Sequence, residues 1–123
     1  AMHLWDGLRL FAGAGQIAAS AEAAFPVHLL HDGPVFDDGT LAVRALHNAH
    51  LGVPSEGDPW RSFSFRVEGE GHTIVFSGDV RDVRELEPLL GGCDLLLMET
   101  GHHQVASVCS WLAENAPGLE EGS

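Results

Sequence analysis

The sequence predicts an α/β (α+β) chain built on one mixed sheet, with a β-hairpin and a strand–helix–strand unit. Three observations carry that expectation. Ser62-Phe63-Ser64-Phe65-Arg66-Val67 alternates polar and apolar at period two, and His72-Thr73-Ile74-Val75-Phe76 returns across Gly69-Glu70-Gly71, the pattern of an antiparallel hairpin. Leu95-Leu96-Leu97-Met98 is a continuous apolar run, expected of a strand covered on both faces. Between them, Val83, Leu86, Leu89 and Leu90 fall at helical spacing, so the flanking strands are expected to be parallel and joined by a crossover.

Taken in chain order, Leu4 to Phe25 places apolar residues at the spacing of an amphipathic helix. Gly13 and Gly15 each weaken its middle by about 1 kcal/mol relative to Ala, and two shorter helices meeting around Ala12 to Gln16 are the alternative. Pro26 ends the helical pattern. Val27, Leu29 and Leu30 read as a strand closed by the turn-forming His31-Asp32-Gly33-Pro34. A second strand follows Asp38-Gly39, carried by Leu41, Val43 and Ala45 or Leu46. Asn48 to Trp60, with its Gly, Pro, Ser, Glu and Asp, is a long loop, and loops of that length in compact domains are usually functional or mobile. After the hairpin, Asp82 with Glu85 three residues on forms a capping box for a short helix that contains Pro88 and stops at Gly91-Gly92. Gln104 to Glu114 repeats Val105, Val108, Cys109 and Leu112 at helical spacing, and Gly118 to Ser123 should fray.

Composition narrows the function classes. The 123 residues fit one domain, with a mean hydropathy of +0.05 and 45% hydrophobic residues, in the ordinary globular range. All six basic residues are Arg, against 18 acidic ones, for a formal net charge of −12. Such a chain repels phosphate backbones, so no nucleic acid is expected as a partner, whereas divalent cations are attracted. No apolar run is long enough to span a bilayer, so no membrane partner and a cytoplasmic location are expected. Cys93 and Cys109 are too few for a disulfide framework.

Three places could carry chemistry. Asp79 directly follows a strand and Ser77-Gly78, which projects a carboxylate into the crevice at the carboxyl end of a sheet; the alternative is a simple helix cap. His47-Asn48-Ala49-His50 closes a strand and opens the long loop, where an imidazole can reach zinc or merely be solvated. Glu99-Thr100-Gly101-His102-His103 again follows a buried strand; adjacent His residues point in different directions and rarely bind one metal, an objection that a turn at Gly101 relaxes in part, and a site without function is the alternative. Phe11-Ala12-Gly13-Ala14-Gly15-Gln16 follows no strand and is not a phosphate loop, and no Gly-x-Ser-x-Gly elbow is present. Trp5, Trp60 and Trp111 lack the basic groove of a nucleic-acid stacking platform.

Together these residues resemble the second half of a metallo-β-lactamase-fold hydrolase. The matching string from Leu41 to Glu114 runs Asn48-x-His50-Leu51, long loop, hairpin, Phe76-Ser77-Gly78-Asp79, helix, Cys93-Asp94-Leu95-Leu96, Glu99-Thr100-Gly101-His102-His103. The resemblance implies a partial αββα sandwich with a one- or two-metal site along its sheet edge. Asp79 would bridge both metals, His50 would bind one, and His102, His103 and Glu99 would line the site. Two cations about 3.5–4 Å apart generate a hydroxide nucleophile near neutral pH, with zinc the first expectation and manganese or iron the alternatives. The substrate of the intact protein would be a small molecule. The family's His-x-His-x-Asp-His motif is absent here: no two His are separated by one residue, and no Asp precedes a His. The family's closing strand with its Thr-His, which the resemblance would put shortly after Trp111 to Pro117, is missing from this sequence as well. The chain is therefore expected to be one partial domain, 1–123, with a helical segment 1–25, a metallo-β-lactamase-like half 26–117 and a frayed tail 118–123. As such it would be an inactive fragment whose metal could be absent. The alternative is a non-catalytic half-domain for dimerisation or binding, and either way a homo-oligomer or a partner chain is expected.

Overall fold

The computed structural model describes residues 27–119, so the helix expected over Leu4 to Phe25 lies outside the described residues. Five strands form one sheet in sequence order: β1 Gly33–Asp37, β2 Leu41–His47, β3 Phe63–Gly69, β4 His72–Phe76 and β5 Leu95–Leu97. The first three pairings are antiparallel and β4–β5 is parallel, giving the mixed sheet that the sequence predicts. A 3-10 helix over Val83–Leu89 makes the crossover, and an α-helix, α1, spans Val105–Asn115. Among the described residues no helix is long and apolar enough to cross a membrane.

The hairpin closes through Glu70 and Gly71, both at positive φ (52° and 76°), between paired Gly69 and His72. Two consecutive positive φ values match the right-handed twist of the flanking strands. The capping box is also present: Asp82 accepts from the Arg84 N–H at 2.9 Å, and Glu85 accepts from the Asp82 N–H at 3.3 Å. The segment it caps is 3-10 rather than α, since Pro88 stands only six positions after Asp82, too few for a settled α-helix.

Two other expectations need correction. The first strand lies over Gly33–Asp37, not Val27 to Leu30, and Leu29 is 83% exposed. Gly33-Pro34 looks like a turn, but β1 is an edge strand, where the missing N–H of Pro34 can face outward. The run Leu95 to Met98 yields a three-residue strand covered on one face only, with Leu96 buried and Leu97 exposed. Of the tail expected to fray, residues 120–123 lie outside the described residues; Leu119 packs against the core and its N–H donates to the Ala116 carbonyl at 3.1 Å.

The register sorts the two sheet faces. Val75 and Leu96 are paired and buried against Val80, Leu86, Leu89 and Val108, so the core lies between the sheet and the two helices. Cys93 belongs to this core, where burial pushes its thiol pKa up. Arg66 lies on the same face: its Nη1 donates to the Leu89 and Gly91 carbonyls at 2.6 Å each, and its Nε to Glu68 at 2.7 Å. The opposite face consists of two cross-strand rows, Ala45–Phe65–Phe76–Leu97 and Val43–Val67–Ile74–Leu95, with no described element over them.

Candidate metal centre

Four side chains converge at one edge of the sheet although the sequence spreads them from residue 50 to residue 102. Asp79 follows β4 and Glu99 follows β5; these strands are parallel, so both carboxylates leave the same end of the sheet. His50 follows β2, which is antiparallel to β3, as β3 is to β4, so its loop leaves at that end too. Its Nε2 lies 3.7 Å from Asp79 Oδ2, and its ring sits 5.2 Å from that of His102. Donor atoms of Asp79, Glu99 and His102 all lie within 4.8 Å of one another. A solvent-open cavity of about 420 Å³ is lined by His50 and His102 with Ala49, Gly52, Val80 and Arg81.

Local chemistry explains the convergence. Gly78 has φ +56°, and a Cβ there would stand 3.0 Å from the Phe63 carbonyl oxygen. Only glycine makes this turn without strain, and the turn delivers Asp79 outward. The open question of a helix cap is thereby answered: Asp82 is the cap, and Asp79 faces His50. Beneath the site runs a buried polar chain. Asn48 Nδ2 donates to Ser64 Oγ at 3.0 Å, Ser64 Oγ donates to the Ser77 carbonyl at 2.6 Å, and Ser77 Oγ accepts from the Glu99 N–H at 3.0 Å. Asn48 Oδ1 also accepts from the His50 N–H at 3.1 Å. No described buried side-chain polar atom lacks a partner, so this chain ties the ends of β2, β3, β4 and β5 together without cost.

Glu99 organises the two imidazoles. Its Oε1 lies 3.0 Å from His102 Nδ1 and 3.0 Å from His103 Nε2, and the latter also sits 3.0 Å from the Val80 carbonyl. Both neighbours of His103 Nε2 are acceptors, which places the proton on that nitrogen. The same logic puts a proton on His102 Nδ1 and leaves Nε2 as its lone-pair atom, the carboxylate–histidine arrangement that holds metal-binding imidazoles in place. Burial raises the Glu99 carboxyl pKa, but the His102 hydrogen bonds and the pull of both imidazoles outweigh it and set it below its ordinary value.

The donor set fits a divalent cation. Bonds of about 2.1 Å in a tetrahedron put donors roughly 3.4 Å apart, close to the 3.7 Å between His50 and Asp79. Imidazole and carboxylate donors suit zinc, manganese or iron, and no thiol stands nearby, since Cys93 is in the core and Cys109 is on α1. His103 is 10% exposed and bonded to the backbone, so it supports Glu99 rather than facing the cavity.

His47, the other strand-end candidate in the sequence, lies elsewhere. Its Nδ1 is 2.6 Å from Asp32 Oδ2, its N–H donates to Asp32 Oδ1 at 2.7 Å, and its ring stacks on Trp60 at 4.0 Å. Burial raises the Asp32 carboxyl pKa, but the His47 bonds prevail and lower it. One contributor that sequence reasoning left out is Glu85, whose Oε1 accepts from the Ala49 N–H at 2.7 Å and so pins the His50 loop to the 3-10 helix. The capping box marks Glu85 as a helix residue, and nothing local announces this second bond.

A family model described as a beta-lactamase superfamily domain matches residues 8–113, and the chain belongs to that family. Its fold is thus of the hydrolase type, and members of this superfamily commonly bind divalent metals. No curated protein matches the chain.

Proposed function

We propose that this chain carries half of the ligand set of a metal-dependent hydrolase, with His50, Asp79, Glu99 and His102 offering donors to a divalent cation. The observation that supports the reading is their convergence from three separate strand ends at one edge of the sheet, where His50 and His102 also line an open cavity. A bound cation would supply Lewis acidity for activating water against an ester, amide, thioester or phosphoester. The chain's own residues do the rest. Asp79 presents a carboxylate able to span two cations, and Glu99 fixes the tautomer of His102. His103 locks Glu99 against the Val80 carbonyl, and the Asn48–Ser64–Ser77 chain holds the strand ends in register.

The His-x-His-x-Asp-His ligands typical of such hydrolases have no counterpart in this sequence, so the 123-residue chain alone should be inactive. Assays of a generic phosphodiester and a lactone with added Zn²⁺ or Mn²⁺ should give background rates only. Turnover lost on Asp79→Ala would contradict the half-site reading and make the chain a complete enzyme. A purely structural half-domain is the second reading, favoured by the open apolar face of the sheet.

A further inference from the structure

We propose that Glu85 is a positioning residue whose single carboxylate sets the spacing between the segments that carry His50 and Asp79, an inference that rests on the cation site proposed above. Oε1 accepts from the Ala49 N–H at 2.7 Å, and Ala49 directly precedes His50. Oε2 accepts from the Arg81 N–H at 3.0 Å and the Asp82 N–H at 3.3 Å, in the turn that follows Asp79. A capping box needs only the Asp82 bond. The bonds to Ala49 and Arg81 are additional, and they draw the loop leaving β2 against the turn leaving β4. His50 Nε2 and Asp79 Oδ2 stand 3.7 Å apart where those segments meet.

The anchor itself is firm. Val83 and Leu86, on either side of Glu85 in the 3-10 helix, are buried in the core, so the backbone that presents the carboxylate is fixed. Asp79 is not held in that way: its side chain is 60% exposed, and packing does not set its position. Ser62 gives a further link, its carbonyl accepting from the Asn48 N–H at 2.9 Å and its Oγ donating to the Asp79 carbonyl at 3.3 Å. Bonds to an ionised carboxylate are the stronger kind, so Glu85 is the stiffer of the two connections. Glu85 does not belong to the converging Asp79–Glu99–His102 donors and acts through the backbone of both loops. Donors already spaced for an ion lose less freedom when they bind it.

Glu85→Gln separates positioning from folding. Glutamine serves a capping box as glutamate does, but its amide NH2 turns a donor toward one of the two loops. Calorimetric titration of Zn²⁺ into the metal-free 123-residue chain should show an affinity about tenfold lower, with a urea midpoint close to that of the parent. Glu85→Asp keeps the charge, shortens the reach by one methylene and should also lose about tenfold. Asp82→Asn removes the same unit charge, keeps a capping side chain and should change the affinity by less than about twofold. In the metal-free chain, amide hydrogen exchange at Ala49 or Arg81 should speed up in Glu85→Gln while Val75, in the core, stays as it was. Equal losses in Glu85→Gln and Asp82→Asn would overturn the proposal, since charge alone would explain them. So would unchanged Zn²⁺ affinity in both Glu85 variants, or unchanged exchange at both Ala49 and Arg81. A parent chain without saturable Zn²⁺ binding would sink the cation reading and this proposal with it, which sets the two failures apart.

Discussion

Gly78 decides where Asp79 goes. With φ at +56° and the Phe63 carbonyl 3.0 Å from a built Cβ, Gly78→Ala should cost about 1–3 kcal/mol. Urea denaturation should show a lower midpoint with an unchanged slope. Asn48, 1% exposed, is a second sensitive point: Asn48→Ala removes the donor to Ser64 Oγ and the acceptor of the His50 N–H, for an expected loss of about 1–3 kcal/mol. At this scale much of the site was legible. Asp79 and His50 stood out because a carboxylate after a small residue at a strand end, and a His opening a long loop, are local patterns. Glu99 was legible as a strand-end residue beside two His, but its bonds to both were not, because they depend on how the chain turns at Gly101. Glu85 was hidden further still, since its bond to Ala49 spans 36 positions.

Among the elements, the hairpin and the capped crossover were legible because both are written in local periodicity and turn chemistry. Edge strand β1 was not: Gly33 and Pro34 have turn propensity, and only pairing with Ala45 and Arg44 makes them a strand. The packing of the 3-10 helix on the sheet was equally invisible, since it depends on Arg66 donating to two carbonyls across more than twenty positions. Arg66→Lys keeps the charge but loses the fork that reaches Leu89, Gly91 and Glu68 together. The expected cost is about 1–2 kcal/mol, read as a lower urea midpoint.

For the whole molecule, pH acts through carboxylates held below their ordinary values. Asp32 is opposed by burial but lowered by His47, Glu99 is opposed by burial but lowered by His102 and His103, and Asp38 is lowered by the Leu41 and Thr40 amides. Each binds protons more readily unfolded than folded. Their stabilisation is therefore complete above the unfolded values of 3.8 and 4.5, and lost as pH falls through the lower folded ones. The urea midpoint should fall as pH drops below 4.5 and on through 3.8, and Asp32→Asn should make that fall shallower. What the sequence could not reveal at this scale is the open sheet face. Leu95 to Met98 reads as doubly covered by composition, and only the register shows that one of its sides meets no described layer.

The central claim is that four residues from three strand ends form one cation site, and calorimetric titration of Zn²⁺ into the metal-free chain tests it most directly. One saturable site is predicted, weakened at least tenfold by Asp79→Asn and about tenfold by Glu99→Gln, and untouched by His47→Ala. Absence of saturable binding, or binding indifferent to Asp79→Asn and abolished by His47→Ala, would contradict the account.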